Sequence, residues 1–366
     1  MDFNFSLPVR VISGRGCVKN NAELFNLGKH AFIVCGKNSA KISGALDDVI
    51  EVLNSLKIEF TIFDKSVENP PVTVCYEGGM LCRSVEADFV VGIGGGSALD
   101  AAKAVSVFAA DTNLVKYDDI FDASKKSGKQ LDVIAIPTTS GTGSEANGYS
   151  VMSMPDGETK KSFVCNFPKY AFLDPKYTYS LSQSASISCA LDAFAHAFES
   201  ALSPKATPIS FLLSAYAAKR IWGVISASPI QLSAENRQAL QNASCAAGMA
   251  ISVTGTGFPH PLGYSLTMLD GVPHGAACAV FYDAYINYNL KSPHGCKIIH
   301  DFCSAIGTDP NTLAATITRL SGVKLKLAEQ EIYRHVALVS GAKNYSNSPY
   351  VLSDEEKIEI YLKLFS

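Results

Sequence analysis

The chain has 366 residues, of which 47% are hydrophobic and 18% charged, and its formal net charge is −3. This length is enough for two ordinary domains or one large domain with insertions. The balanced charge argues against nucleic-acid binding, and no run of about 18 apolar residues predicts a membrane span. The first residues lack the regions of a signal peptide and the ten cysteines include no C-x-x-C pair, so we expect a cytoplasmic protein.

The first half of the chain alternates short apolar runs, rich in β-branched and aromatic residues, with helical stretches. The runs predicted as strands are 31–36, 59–64, 87–94 and 131–137, and the stretches predicted as helices are 39–57 and 70–86. The runs 87–94 and 131–137 are nearly continuous apolar stretches, as expected of strands buried on both faces of a sheet, and the alternation of strands with helices indicates a parallel sheet with right-handed crossovers. We therefore predict a Rossmann-like, parallel-sheet α/β domain over residues 1–175.

In the second half the strand signal disappears and helical stretches follow one another. They are 185–200, 211–225, 235–253, 292–307, 310–320 and 355–365. We therefore predict an all-helical C-terminal domain over residues 176–366, so that the fold class is α/β plus all-α. The polar stretch 121–130 is predicted as a surface loop rather than a domain boundary.

Two loops rich in glycine and small polar residues follow predicted strands. The first, GIGGGSALDAAKA at 92–104, opens a helix whose N-terminal N–H groups favour a phosphate. It departs from the usual dinucleotide fingerprint, because Ser97 replaces the third glycine and the loop follows a later strand. The second is PTTSGTGSE at 137–145. A tight turn without ligand is the alternative, but two such loops at one sheet edge favour an extended ligand such as a nicotinamide dinucleotide.

A carboxylate and an imidazole lie one helical turn apart in the apolar helix DAFAHAFES, as Asp192 and His196. His260 and His274 lie in turns flanked by proline and glycine. One aspartate with three histidines suits Fe(II) or Zn(II) better than Mg²⁺ or Ca²⁺, and an unpaired buried charge would be costly. The alternative for any single histidine is a hydrogen-bonded core residue. The remaining histidines, predicted to be exposed, are His30, His294, His300 and His335.

Four segments in this order resemble the iron-containing (group III) alcohol dehydrogenases: GGGSALDAAKA, PTTSGTGSE, DAFAHAFES and HPLGYSLTMLDGVPHG. The resemblance covers nearly the whole chain. It implies a dehydroquinate synthase-like architecture, a homodimer joined through the N-terminal strand, and hydride transfer between a small alcohol or aldehyde and NAD(P). It also implies that the ligands of Fe(II), or of Zn(II), are Asp192, His196, His260 and His274.

The resemblance further implies which residues bind the cofactor. Those near the pyrophosphate, the nicotinamide and the ribose are Gly94, Gly95, Gly96, Ser97, Asn69, Thr138, Thr139, Thr142 and Lys161. NAD-preferring members carry an aspartate after the first core strand, where this chain has Gly36. Ser39 and Lys41, with Lys37 nearby, would instead accept a 2′-phosphate, so we expect NADP rather than NAD. The alternative is that both lysines are simply solvated.

One position departs from the family pattern. Many members have a further histidine four residues after the third ligand, and here that position is Tyr264. Either its hydroxyl or a water molecule would then relay the proton, or the substrate differs. Phe258 is expected to line the substrate pocket. The alternatives that remain are a glycerol-type polyol dehydrogenase or a dehydroquinate synthase-like lyase, both of which use three protein ligands, and a non-catalytic nucleotide-binding relative.

Overall fold

The structure, a computed structural model, describes residues 2–366. Its strands are β1 Arg10–Ser13, β2 His30–Cys35, β3 Glu59–Phe63, β4 Phe89–Gly94, β5 Asp132–Pro137, β6 Tyr149–Ser153, β7 Lys160–Val164 and β8 Tyr170–Leu173. Six of these described strands form one parallel sheet in the order β1-β8-β5-β4-β2-β3. Strands β6 and β7 form a separate antiparallel pair. The predicted parallel sheet is therefore confirmed.

The helices follow in chain order, with short 3₁₀ turns between some of them. They are α1 Cys17–Asn20, α2 Ser39–Ile42, α3 Ala45–Ser55, α4 Val72–Ser84, α5 Gly96–Ala110, α6 Gln183–Leu202, α7 Pro208–Ile225, α8 Ala234–Thr254, α9 Pro259–Asp270, α10 His274–Ala279, α11 Tyr282–Leu290, α12 Pro293–Ile306, α13 Pro310–Ser321, α14 Glu329–Val339 and α15 Asp354–Phe365. None of the helices formed by residues 2–366 has the length and apolarity needed to cross a bilayer.

The central strands carry apolar side chains on both faces because helices cover both faces. Phe32 and Val90 point to one side, into the core shared with α4 and α5. Ile33 and Val91 point to the other side, into the core shared with α3. Successive side chains of a strand alternate between faces, so a fully apolar run is the expected sequence of a strand buried in this way.

The predicted helix 39–57 is interrupted in the structure. Gly44 has φ +79°, in the left-handed region, and separates α2 from α3. A left-handed glycine is a common end of a helix, because it lacks the Cβ that would clash there. The single-helix prediction is wrong at this residue.

The described chain divides into two compact units. One comprises Ser6–Leu181 with Ser233–Cys245 and contains the parallel sheet. The other comprises Ser182–Leu232 and Ala246–Ser366, with the N-terminal residues up to Phe5, and its elements are helical. Helix α8 contributes its first residues to the sheet unit and its remainder to the helical unit.

Candidate functional site

The strand order of the sheet unit defines a crevice at its carboxyl edge. From β2 the chain proceeds to β3 on one side, whereas from β4 it proceeds to β5 on the other. The loops that leave β2 and β4 therefore diverge, and ligands of open α/β sheets bind where this happens. Gly36 follows β2, and Gly94 ends β4. Both residues were predicted from the sequence to bind the cofactor.

The two glycine-rich loops lie against each other at this edge. A Cβ added to Gly96 would lie 2.4 Å from Thr142 Cγ2, and one added to Gly95 would lie 3.2 Å from Thr139 Cγ2. The Thr138 amide donates a hydrogen bond of 2.9 Å to the Gly94 carbonyl. A side chain at position 96 would force the loops apart, so glycine is favoured there, and the N-terminus of the 15-residue helix α5 has no side-chain cap and is available to a phosphate.

A buried lysine fixes the second loop to helix α5. Lys103 is fully buried, and its Nζ lies 3.3 Å from Asp100 Oδ1. The same ammonium donates to the Ser144 carbonyl at 3.0 Å, to Asn147 Oδ1 at 3.3 Å and to the Tyr149 carbonyl. One ion pair and several acceptors compensate the buried charge, as such burial requires. The sequence prediction missed this residue, although a lysine on an apolar helix was a signal.

Two further predicted cofactor residues lie on neighbouring segments. The backbone N–H of Asn69 donates a hydrogen bond of 3.1 Å to Ser97 Oγ, which connects the segment between β3 and α4 to the first glycine loop. The Ser153 amide donates to the Pro70 carbonyl at 3.0 Å, which attaches the β6–β7 pair to that same segment. Lys161 lies on β7 and is exposed.

The residues predicted to select NADP follow Gly36 in the chain, and one of them, Ser39, lies close to it. A Cβ added there would lie 3.1 Å from the Ser66 carbonyl oxygen and 3.5 Å from Ser39 Oγ. Ser39, Lys37 and Lys41 are exposed. The segment after β2 therefore offers one hydroxyl and two ammonium groups. Position 36, where NAD-preferring members carry an aspartate, has no side chain.

In the helical unit, three of the predicted metal ligands, all histidines, converge on a carboxylate oxygen of the fourth, Asp192. Asp192 Oδ1 lies 3.8 Å from His196 Nε2, 3.7 Å from His260 Nε2 and 3.6 Å from His274 Nε2. These distances exceed those of good hydrogen bonds. They are close to the ~3.4 Å expected between ligands about 2.1 Å from one tetrahedral ion. Asp192, His196 and His260 are buried, and His274 is half-buried.

Cys278 joins this group and was missed by the sequence analysis. One ligand atom from each of four residues lies within 4.8 Å of every other: Asp192, His260, His274 and Cys278. His196 lies outside this tight group, although its ring stacks on that of His260 with centroids 4.7 Å apart. The missed signal was the spacing, because Cys278 lies one helical turn after His274.

A buried carboxylate orients His260. Glu199 Oε2 lies 2.8 Å from His260 Nδ1 and accepts a 2.7 Å hydrogen bond from the Gly257 amide. The carboxylate therefore places the hydrogen on Nδ1 and leaves Nε2 to face Asp192. Burial alone would lower the pKa of His260, but the carboxylates of Glu199 and Asp192 outweigh it and raise that pKa. Burial raises the pKa of Glu199, against the opposing effect of His260.

The residues at this site fit a divalent metal ion. His260 Nε2 is buried and has no hydrogen-bond partner among residues 2–366. Such an atom is costly in a protein interior unless a ligand satisfies it. The donor set of imidazoles, a carboxylate and a thiol is one that zinc and related ions prefer.

Tyr264 and Phe258 have different surroundings. The Tyr264 ring stacks on that of His274, with centroids 5.4 Å apart and 19° between the planes. Tyr264 is half-buried beside the ligand group. Phe258 is fully buried and packs edge-on against Tyr285 at 4.7 Å. Phe258 is therefore a core residue, and the expectation that it lines an open substrate pocket is not met.

His335 is a correction to the sequence analysis, which predicted it to be exposed. It is buried, with Nδ1 3.0 Å from Ser265 Oγ and Nε2 3.3 Å from Asp270 Oδ2. His335 lies on the inward face of α14 and is therefore part of the core, where Ser265 and Asp270 pair with its two ring nitrogens. His294 and His300 are exposed as predicted, and His30 is half-buried.

Comparison with known proteins identifies the family. Residues 8–175 match the model of the iron-containing alcohol dehydrogenases, and residues 186–334 match the C-terminal model of the same family. The chain therefore belongs to the iron-containing alcohol dehydrogenase family. It is an alcohol–aldehyde oxidoreductase of this NAD(P)-dependent class.

Individual relatives agree with this assignment. The chain is 30% identical to the 1-propanol dehydrogenase PduQ of Salmonella typhimurium, over 93% of this chain and 90% of that protein. It is similar to the crystal structure of an iron-containing alcohol dehydrogenase from Thermotoga maritima, with a TM-score of 0.92, 34% identity and coverage of 100% and 99% of the two chains. For the sulfoacetaldehyde reductase of Bifidobacterium kashiwanohense in complex with NAD⁺, the TM-score is 0.88 and the identity 30%, with coverage of 100% and 99%.

Proposed function

We propose that this chain interconverts a small primary alcohol and its aldehyde with NADP and a bound Fe(II) or Zn(II). The observation that carries the proposal is the convergence of three imidazole Nε2 atoms on Asp192 Oδ1 at 3.6–3.8 Å. The ligands we assign are Asp192, His196, His260 and His274.

The metal, when bound, supplies a Lewis acid that polarises the substrate oxygen. The chain supplies the rest of the site. Glu199 orients His260 through Nδ1, and the burial of Asp192 and His260 keeps water from competing for their ligand atoms. We assign to the Tyr264 hydroxyl the role of carrying the proton that the substrate oxygen gains or loses, because Tyr264 lies beside the ligands on the helix of His260.

The loops of the sheet unit would hold the dinucleotide. The open N-terminus of α5, with Gly94, Gly95, Gly96 and Ser97, would bind the pyrophosphate. Asn69, Thr138, Thr139, Thr142 and Lys161 would contact the nicotinamide and ribose moieties. The close packing of the two loops supports a single ligand that extends along both.

The preference for NADP rests on the end of β2. A 2′-phosphate needs cationic and hydrogen-bonding groups and is repelled by a carboxylate. Ser39, Lys37 and Lys41 are exposed, follow Gly36 within five residues and would provide such groups. NAD is the alternative, because the similar sulfoacetaldehyde reductase was crystallised with NAD⁺.

We further infer a homodimer formed through β1. This strand is at the edge of the sheet and pairs with β8 on one side. An edge strand offers unpaired N–H and C=O groups to a second copy of the chain.

The experiment that tests the proposal combines metal analysis with turnover. Protein purified without chelator is reloaded with Fe(II) or Zn(II), and aldehyde reduction is followed with NADPH and with NADH. We expect about one metal ion per chain and faster turnover with NADPH. Faster turnover with NADH would reject the NADP assignment. Dinucleotide binding without turnover on a broad aldehyde panel would favour the non-catalytic relative, and absence of metal under every loading condition would reject the proposed centre.

A further inference from the structure

Helix α9 carries two residues to which the proposed function gives a role. His260 and Tyr264 lie one turn apart on this helix, so their side chains share a face. Because a turn takes about 3.6 residues, Leu262 and Ser265 lie on the opposite side of α9. Contacts to this opposite side therefore fix how far α9 is rotated towards the ligand group.

Two buried side chains from neighbouring helices make such contacts. The Tyr361 hydroxyl on α15 donates to the Leu262 carbonyl at 2.6 Å and lies 2.6 Å from Ser265 Oγ. On α14, His335 Nδ1 lies 3.0 Å from Ser265 Oγ. His335 Nε2 lies 3.3 Å from Asp270 Oδ2, at the end of α9. Three positions along α9 are therefore held by two other helices.

The state of the His335 ring determines the direction of these hydrogen bonds. Burial lowers the pKa of His335, against the opposing effect of the Asp270 carboxylate, so the ring is neutral at neutral pH. Its hydrogen belongs on Nε2, which faces the carboxylate, and Nδ1 then accepts from the Ser265 hydroxyl. Without the imidazole, the Ser265 hydroxyl would donate to the Leu262 carbonyl, 3.0 Å away, and α9 would lose this connection to α14.

We propose that His335 is a positioning residue for the reaction, which acts through Ser265 and Asp270 to fix the rotation of α9. This inference rests on the proposed function, because that function supplies the roles of His260 and Tyr264. Reacting groups must be held within about 0.5 Å of their productive geometry, and a displacement of about 1 Å can cost about 100-fold in rate. A buried polar connection to a second helix supplies such a constraint.

The test compares His335→Leu with Tyr177→Phe. Each variant removes polar contacts of a buried side chain, but Tyr177 belongs to the sheet unit, where its hydroxyl lies 2.9 Å from Asp48 Oδ2. Both variants should lose stability to urea. Only His335→Leu should also lose Zn(II) affinity, by about tenfold in competition with a chelator, and kcat, by about 10–100-fold. Its KM for NADPH should not change, because the glycine and threonine loops belong to the other unit.

Ser265→Ala is the second variant, in case the loss of the imidazole prevents folding. It removes the hydroxyl that contacts His335 with little change in volume, and it should lower Zn(II) affinity and kcat in the same direction. Amide hydrogen exchange of the metal-free protein provides a measurement that requires neither metal nor turnover. Protection of the α9 amides should fall in Ser265→Ala and in His335→Leu, and should not fall in Tyr177→Phe.

The outcomes separate this inference from the proposed function. Unchanged Zn(II) affinity and kcat in the variants of His335 and Ser265 would overturn the positioning role, even if stability falls, and would leave the proposed function in place. An unaltered protein that binds no metal under any loading condition would overturn the proposed function, and this inference with it.

Discussion

His260 and Glu199 form a buried pair in which the carboxylate fixes the face that the imidazole presents. The distance between His260 Nδ1 and Glu199 Oε2 is 2.8 Å, and both side chains are nearly inaccessible to solvent. Glu199 lies two turns after Asp192 on α6. One helix therefore provides Asp192, which we assign as a metal ligand, and also the carboxylate that orients His260 on another helix.

Replacing Glu199 with glutamine should weaken metal binding by about 10–100-fold, as is usual when the partner of a ligating histidine is changed. The amide has similar shape but lacks the charge that favours the required tautomer. Competition titration with a zinc chelator measures the effect, and Glu329→Gln, at an exposed position on α14, is the control. Equal affinity for both variants would mean that Glu199 does not position His260.

His260→Ala should abolish turnover and leave dinucleotide affinity unchanged. The substitution removes the imidazole whose Nε2 lies 3.7 Å from Asp192 Oδ1, whereas the glycine and threonine loops belong to the other unit. Metal content, aldehyde reduction and NADPH fluorescence should be measured together. His294→Ala, at an exposed position, should behave like the unaltered protein. Retained activity in His260→Ala would contradict the ligand assignment.

Gly96→Ala should destabilise the sheet unit by about 1–3 kcal/mol, the usual cost of overpacking, and should weaken NADPH binding. The new Cβ would lie 2.4 Å from Thr142 Cγ2 and force the two loops apart. Gly223→Ala, which meets no atom within 4 Å, is the matched control. Urea unfolding and dinucleotide titration measure the two effects. Unchanged NADPH affinity in Gly96→Ala would remove this loop from the cofactor site.

Gly36→Asp should shift the ratio of kcat/KM for NADPH and NADH by at least about tenfold towards NADH. A carboxylate there would repel a 2′-phosphate, and each 1.4 kcal/mol of lost binding is a factor of ~10. Because the new Cβ would lie 3.1 Å from the Ser66 carbonyl, Gly36→Ala controls for the steric effect alone. If the alanine variant changes the ratio equally, charge is not the cause.

Asp48 should contribute stability that is lost in acid. Burial opposes its ionisation, but hydrogen bonds from Tyr177, Lys19 and Lys176 lower its pKa overall. A carboxyl whose pKa is lower in the folded state stabilises the fold above its unfolded value of about 3.9, and this contribution disappears as the pH falls through the folded value.

Asp48→Asn tests this effect. Urea unfolding at neutral pH should show a loss of about 1–3 kcal/mol, since the buried hydroxyl of Tyr177 loses a charged acceptor 2.9 Å away. The difference between the two proteins should shrink below about pH 4. A difference that is constant with pH would show that the charge of Asp48 is not what stabilises the fold.

The buried elements were the most predictable from the sequence. Strand β4 and all of β5 after the exposed Asp132 are apolar because both faces of the sheet are covered, so the sequences of these two strands indicate their burial directly. The β6–β7 pair was not predicted, because β6 is short and mixes polar with apolar residues, and β7 is mostly polar and exposed. The feature of the sequence that indicated this pair was the turn between its strands. Pro155, Asp156 and Gly157 form a common turn sequence, and Gly157 has φ +73° in the structure.

The candidate metal site was predictable only in part. Asp192 and His196 share a helix, so their spacing revealed that both lie on one face. Cys278 was overlooked although it lies one helical turn after His274. Glu199 was not recognised, because neither spacing nor composition shows which distant residue the fold brings beside His260. The burial of His335 was missed for the same reason, since its partners Ser265 and Asp270 lie on another helix.

The hydrogen bonds of the Lys103 ammonium couple the motions of two segments of the sheet unit. The ammonium holds α5, which begins at the first glycine loop, to the carbonyl of Ser144 in the second loop and to that of Tyr149 just beyond it. The two segments cannot separate without breaking the hydrogen bonds that compensate this buried charge. The amide protons of both loops should therefore exchange with solvent through a single opening event with one common free energy, rather than through independent local fluctuations.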